Sequence, residues 1–450
     1  MASTTPFQQQ IIDHQGNLLV IAVPGAGKTW TLVQRVLRLL KDPSRLICIV
    51  TFTNDAATEI RNRIAAMTSP EIMRSRVQVQ TFHKHAMNML KRARMLGKVI
   101  SPQDQRQFLQ RALNQSGEEH SLEEAQILLE EYKSHLNELP TDAPEFITSY
   151  QGMLKRANSK DLLDVVRDCV IGMRSGQVRR IGCTDLLVDE FQDTDRMQLE
   201  WVLQYTDDGV DTVVVGDDDQ SIYAWRHGLG YAGMIEFQQR ANASTVTLDM
   251  NFRSRDEILY VADKLILNNQ NRALKHLKGD RGHGGNAQLL RPSDDNDEAW
   301  SIIRMVGKDL VNAPSGHWYS SDVPKGRWAV ISRTNAHLWA IECALRASGI
   351  RYCKPSKSYE PPHVSLLLAL LSTVQDASAV GFELALHTLG LTNGVIDAIH
   401  KVVGKHLGTA LDNGLPDITT IEPGDLKTVS GFLARIHVWR QLVRDGQYDL

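Results

Sequence analysis

The feature that most constrains this chain is an apolar run, Leu18–Ala22, that leads straight into Ala22-Val23-Pro24-Gly25-Ala26-Gly27-Lys28-Thr29 and then into helical periodicity over Trp30–Leu40. A buried strand, a loop of small residues and a helix in that order gather several backbone N–H groups around one point at a helix N-terminus. That is a cradle for a phosphate. Ala22, Val23, Pro24, Gly25, Ala26, Gly27, Lys28, Thr29 and Trp30 are therefore candidate nucleotide-binding residues, with Lys28 reaching the β- and γ-phosphates and Thr29 holding Mg²⁺. Ala22 stands where the strict pattern has glycine. The competing reading, a glycine-rich turn that caps a helix and binds nothing, does not require this order of elements.

A second apolar strand, Leu186–Val188, ends in Asp189-Glu190. A carboxylate at the C-terminal end of a strand can serve Mg²⁺, and its neighbour can orient and deprotonate an attacking water. Acidic strand ends facing solvent are common, so this pair acquires meaning only beside the phosphate loop. Together the two elements predict a nucleotide hydrolase.

Further β-rich runs occur at Ile47–Phe52, Val77–Phe82, Val213–Val215, Val246–Leu248 and Trp328–Ser332, most followed by a turn and a helical pattern. This alternation predicts an α/β fold with a parallel sheet covered by helices. Between about residues 90 and 180 the pattern becomes wholly helical, as in Leu122, Ala125, Leu128, Leu129, Tyr132 and Leu136, with Ser121 and Glu124 at capping-box spacing. Polar, glycine-rich loops near residues 279–298 mark a second transition, and from about residue 365 the sequence is mostly helical.

Several segments resemble, in content and order, the motifs of superfamily 1 DNA helicases of the UvrD/PcrA/Rep family. Asp189-Glu190-Phe191-Gln192-Asp193-Thr194 is similar to DEFQDT. Val215–Arg226, reading VGDDDQSIYAWR, resembles the third motif, VGDDDQSIYxWRG. Thr51–Ala57 resembles TFTNKAA, Thr81-Phe82-His83 resembles TFH, and Leu248–Ser254 resembles LxxNYRS. Thr5-Pro6-Phe7-Gln8 sits where a glutamine motif belongs, Ile331–Ala336 resembles YRTNAQ, and Asp161-Leu162-Leu163-Asp164 is similar to an element preceding DEFQDT.

The resemblance implies a RecA-like, P-loop motor domain over residues 1–90 and 180–250, interrupted by a helical insertion over 91–179. A second, incomplete RecA-like domain over 251–361 and the start of a helical accessory domain over 362–450 follow. It implies that Gln8 hydrogen-bonds adenine, Phe252 packs on it, Asp189 serves Mg²⁺ and Glu190 the water. Gln220 would couple the γ-phosphate to the strand-binding face, and Arg253 would reach the γ-phosphate. Phe52, Asn54, Thr81, His83, Tyr223, Trp225, Arg226, Arg333 and Asn335 would meet nucleic acid. Stacking suits Tyr223 and Trp225 because a motor that moves along any sequence needs contacts indifferent to base identity; core packing is the alternative for both. His83 by itself would be an ordinary structural histidine.

The implied function is an ATP- and Mg²⁺-dependent single-stranded-DNA translocase and helicase, 3′ to 5′, working at single-strand/duplex junctions. The alternative is an ATP- and DNA-binding subunit that needs a protein partner, or further sequence, for turnover. A P-loop kinase or GTPase would not require the third motif or the Asn251-Phe252-Arg253 element. Two departures bear on the DNA and adenine contacts: Trp30 stands where the family usually has arginine, and Asp55 where it has lysine. The family's two last motifs, one KGLE-containing and one carrying a second γ-phosphate arginine, are not found in residues 337–450.

A net charge of −3 excludes an obligate basic coat protein but not a local basic groove. Five scattered cysteines without a CxxC pair predict a reduced, cytoplasmic setting. Neither a signal peptide in Met1–Gln10 nor a membrane span is expected, the longest apolar run being Leu366–Leu371.

Overall fold

The computed structural model describes residues 4–134, 143–222, 227–311, 328–335, 337–350, 352–353 and 421–445, with scattered positions between 370 and 412. The first helix, α1 (Pro6–Asp13), starts at a capping box in which Thr5 and Gln8 satisfy each other's backbone N–H groups. Strand β1 (Leu18–Ala22) and helix α2 (Lys28–Leu39) flank the glycine loop. The chain continues through β2 (Ile47–Thr51), α3 (Asn54–Ala65), α4 (Pro70–Arg76), β3 (Val77–Thr81) and α5 (Phe82–Arg92). Next come β4 (Lys98–Val99), α6 (Pro102–Ser116), α7 (Leu122–Lys133), α8 (Glu145–Arg156), β5 (Ser159–Lys160) and α9 (Leu162–Arg174). The first unit then completes its sheet with β6 (Asp185–Val188), α10 (Arg196–Thr206), β7 (Asp211–Gly216), α11 (Gly230–Arg240) and β8 (Ser244–Leu248). It ends with β9 (Met250–Asn251), α12 (Asp256–Ile266) and β10 (Lys278–Gly279).

Six strands pair in the order β3-β2-β6-β7-β1-β8, every pair parallel. Parallel strands are covered on both faces, and the side-chain period of two divides them cleanly. Leu18, Val20, Ile47, Ile49, Leu187, Val213 and Val215 join the apolar faces of α2 and α3 in one core. Their neighbours Leu19, Ile21, Cys48, Val50, Leu186, Val188 and Val214 join α5, α9, α10 and α11 in the other. Because all six strands run the same way, their C-terminal ends share one edge. The ends of β6, β7 and β1 are adjacent there, and ligands of open α/β sheets bind outside such ends.

Among the described residues between 91 and 179 most are helical, apart from loops and the short parallel pair β4–β5. Its helices α6, α7 and α8 close a small core around Leu109, Leu129, Phe146 and Tyr150. Helix α9, by contrast, gives Val165, Cys169, Val170 and Met173 to the sheet core. The Ser121–Glu124 capping box is present at the start of α7.

Residues Met1–Gln288 make one compact unit and Leu289–Leu450 another. In the second, α13 (Asp295–Val311) and α14 (Leu338–Ala347) share a core that includes Ile303, Ile341 and Leu345. A separate core joins Phe382 and Leu386 to Val429, Leu433 and Ile436 of the helix Pro423–Arg444. The strand expected at Trp328–Ser332 does not form. A strand needs a hydrogen-bonded neighbour, and Ile331 instead stands 91% exposed while Val330 packs onto the α13–α14 core. No helix among the described residues is long and apolar enough to cross a membrane. All five cysteines are free.

Candidate nucleotide site at the C-terminal sheet edge

The loop after β1 is shaped by its glycines. Gly25 and Gly27 have φ of 68° and 79°, in the left-handed region that side chains rarely adopt. A Cβ on Gly25 would also lie 2.8 Å from the Arg253 Cβ and from Asn251 Nδ2. The segment after β8 is thus pressed against the loop. Asn251 Nδ2 donates to the Pro24 carbonyl at 2.5 Å, and the Phe252 N–H donates to the Gly25 carbonyl at 3.0 Å. Asn251 Oδ1 accepts from the N–H groups of Arg253 and Ser254 at 2.8 and 2.7 Å. Asn251 is 1% exposed, whereas Arg253 and Phe252 are exposed. A buried amide therefore fixes the backbone from which the Arg253 guanidinium projects.

Gln8 is buried and committed at both ends. Its Oε1 accepts from Thr5 N at 3.0 Å and its Nε2 donates to the Ala26 carbonyl at 3.3 Å. Lys28 Nζ lies 2.9 Å from Glu190 Oε2, so the loop's mobile cation rests on the carboxylate that ends β6. Glu190 has φ 52°, a strained conformation for a residue with a side chain and one that concentrates at functional sites. Asp189 is 4% exposed, and its Oδ1 accepts from Glu190 N at 3.0 Å. Burial, then the adjacent Glu190 charge, push its carboxyl up to about 7 against the opposing pull of Lys28. Burial and Glu190 likewise raise Asp193, to about 6. Buried carboxylates with too little positive charge beside them suit a divalent cation, and Thr29 and Asp189 offer the hard oxygen donors Mg²⁺ prefers.

From Glu190 the contacts run to β7. Gln192 Nε2 donates to Glu190 Oε2 at 3.1 Å, and Gln192 Oε1 accepts from Asp217 N at 3.0 Å. A Cβ on Gly216 would sit 2.9 Å from that same oxygen, which explains a glycine at the end of β7. Gln220 donates its side-chain amide to Asp217 Oδ2. The strand ends of β1, β6 and β7 thus carry one connected polar network.

The comparisons with known proteins agree with this geometry. The model of the UvrD/REP helicase N-terminal domain matches residues 4–241, more than half of the chain, and that of the UvrD-like helicase C-terminal domain matches 246–413. The chain belongs to the UvrD/REP helicase family. It is 32% identical over 391 residues to the ATP-dependent DNA helicase PcrA of Leuconostoc citreum, covering 80% of this chain and 51% of that protein. It is 29% identical over 376 residues to DNA helicase II of Escherichia coli, covering 77% and 50%. With PcrA of Bacillus subtilis the identity is 28% over 411 residues, covering 84% and 54%. The chain spans about half the length of the curated relatives it matches.

The family's expected DNA contacts are placed unevenly. Phe52 and Asn54 lie where β2 runs into α3, and Thr81 and His83 where β3 runs into α5, on the same sheet edge as the nucleotide loop. The Thr81 hydroxyl is committed to capping α5, accepting from Lys84 N at 3.4 Å. Burial holds the His83 imidazole below its ordinary value, so it is neutral near pH 7. Tyr223, Trp225 and Arg226 lie outside the described residues. Arg333 and Asn335 are exposed and belong to the second unit.

Three members of the site's polar network carry no role in the sequence: Gln192, Asp217 and Asn251. All three stand inside the quoted motifs, but only the fold shows which atoms they hold.

Proposed function

We propose that this chain binds and hydrolyses ATP on single-stranded DNA and uses the turnover to move along the strand and open duplex at junctions. The observation that carries this reading is the convergence of Lys28, Glu190, Gln192, Asp217 and Gln220 on adjacent strand ends, with the Arg253 backbone held against Gly25. By family resemblance the direction is 3′ to 5′. Residues 1–90 and 180–250 would form the first motor domain, 91–179 its helical insertion, 251–361 part of a second motor domain and 362–450 the start of an accessory domain. Five free cysteines support a reduced, cytoplasmic setting.

The chemistry follows from the ligand-free contacts. Phosphates entering the loop draw Lys28 off Glu190, because the β/γ-phosphates carry more negative charge than one carboxylate. Glu190 is then free to accept a proton from water as its oxygen attacks the γ-phosphorus, breaking the bond to ADP. Gln192 holds the Glu190 carboxylate in place, and Arg253 meets the charge on the transferring phosphoryl group. Thr29 and Asp189 would hold Mg²⁺, which supplies charge neutralisation across the phosphates. Gln8 exchanges its Ala26 contact for adenine, and Phe252 offers an exposed ring to stack on it. Phe52, Asn54, Thr81, His83, Tyr223, Trp225, Arg226, Arg333 and Asn335 are the proposed DNA contacts.

The alternative is an ATP- and DNA-binding subunit that needs a partner or further sequence for turnover. Titration of a fluorescent ATP analogue into the wild type and Lys28→Ala tests the shared premise. Binding in the wild type and its loss in a variant with unchanged circular dichroism are expected; equal affinity in both would remove the phosphate loop from the account.

A further inference from the structure

Lys275 follows α12 and is buried, its side chain 1% exposed. Its ammonium sits 2.5 Å from Asp217 Oδ1 and 3.2 Å from Asp219 Oδ2, touches Asp218 Oδ1, and donates to the Ala22 carbonyl at 3.4 Å. Arg272 grips Asp219 with two parallel hydrogen bonds, Nε to Oδ1 and Nη2 to Oδ2, each 2.7 Å. The Ala273 N–H takes the remaining oxygen of Asp218 at 2.6 Å.

Three carboxylates whose ligand atoms lie within 4.8 Å of one another have the spacing of a divalent-cation site. Here a lysine ammonium already fills their centre. Burial alone would lower the lysine's proton affinity, but the charges and hydrogen bonds of Asp217 and Asp218 outweigh it, so the ammonium stays charged. Removing such a cation leaves buried like charges facing one another.

The contacts of this cluster lead elsewhere. Asp217 uses Oδ1 for Lys275 and Oδ2 for the Gln220 amide, while its backbone N–H holds Gln192, which in turn holds Glu190. At its other contact the same ammonium meets Ala22, the residue at which β1 enters the phosphate loop. One cation therefore joins the root of that loop to the carboxylate that orients Gln220.

We propose that Lys275, backed by Arg272, is a positioning residue that locks Asp217 and so aims Gln220, making the three aspartates an internal ion cluster rather than a metal site. The inference rests on the reading of Gln220 as the link between γ-phosphate and strand. It adds that the link is set by a residue from the segment after β8, the same segment that delivers Arg253.

The test compares wild type, Lys275→Met and Arg272→Gln in three measurements. Nucleotide affinity without DNA should stay within about twofold, and the KM for ATP should move little, while DNA-stimulated kcat falls about tenfold or more in Lys275→Met and less in Arg272→Gln. Arg272→Lys should recover part of the loss. Should Lys275→Met not fold, Arg272→Gln and its lysine rescue carry the comparison. A folded variant with wild-type DNA stimulation would overturn the proposal, as would Mg²⁺ or Ca²⁺ raising the Tm of the wild type without nucleotide through these aspartates, an effect lost in Asp218→Asn. Hydrogen exchange separates this proposal from the functional reading beneath it. If the wild type hydrolyses no ATP, the reading as a motor fails. The lock still predicts about tenfold faster exchange at the Asp219 and Gln220 amides of ligand-free Arg272→Gln. Unchanged exchange there counts against the lock.

Discussion

Two buried lysines divide the molecule instructively. Lys133, at the end of α7, lies 2.5 Å from Asp161 Oδ2 and 2.8 Å from Asp164 Oδ1, with its side chain 2% exposed. The Tyr150 hydroxyl donates to the same Asp161 oxygen at 2.7 Å. Asp161 and Asp164 are themselves the capping box of α9. Among the described residues, the contacts of Lys133 end in the joint between α7, α8 and α9. Lys275 is as buried and as well paired, yet its partner Asp217 passes the connection on to Gln220 and Gln192, and its own ammonium meets the phosphate loop at Ala22. Burial and ion pairing do not distinguish a structural cluster from one beside a site; where the partners' other contacts lead does.

That contrast predicts that changes at the sheet edge move rate, and changes at Lys133 move stability. The largest effect belongs to Glu190→Gln, which keeps the shape of the side chain but cannot take a proton. Turnover should fall by about 10²–10⁴-fold, the usual worth of a general base, with nucleotide affinity retained. Single-turnover hydrolysis near the wild-type rate would move the base to another residue.

Lys133→Met sits at the other pole. Leaving Asp161 and Asp164 without their cation should cost about 3–5 kcal/mol of stability in urea unfolding. ATP affinity of the folded protein should be unchanged, and a specific loss of affinity with normal stability would erase the distinction between the two lysines. Between the poles stands Asn251→Ala, which frees Pro24, Arg253 and Ser254 at once. It should cost about 1–3 kcal/mol from newly unsatisfied buried groups and also lower turnover. Stability loss with full turnover would mean that Arg253 needs no anchor.

The smallest effect is a pH dependence. Burial alone would raise the Asp164 carboxyl, but Lys133 and the surrounding hydrogen bonds outweigh it and hold the group below its ordinary value of 3.8. A depressed carboxylate contributes stability that is complete above its unfolded value and is lost as the pH falls through the lower folded one. The urea midpoint of wild type should therefore drop more steeply than that of Lys133→Met across about pH 5 to pH 2. Parallel profiles would show that the pair is not what sets the Asp164 carboxyl.

Most of the sheet was legible because its inner strands are apolar on both faces and their ends carry residues with few other uses. The loop Gly25–Thr29 and the pair Asp189-Glu190 could be read in sequence because their chemistry depends on near neighbours in the chain. The Trp328–Ser332 run was misread because β-propensity says nothing about whether a partner strand lies alongside. Lys275 was invisible for the opposite reason: its significance arises wholly from long-range contacts. A lone lysine after a helix carries no pattern until folding sets three aspartates around it.

The proposed function requires that the loop after β1, the end of β6 and the Arg253 segment act as one ATP-hydrolysing site answering to single-stranded DNA. Phosphate release by the purified chain, measured with and without single-stranded DNA beside Lys28→Ala, tests it most directly. Magnesium-dependent hydrolysis that DNA accelerates, and that Lys28→Ala abolishes without loss of fold, is the expected result. Hydrolysis indifferent to DNA, or undiminished in Lys28→Ala, would contradict it.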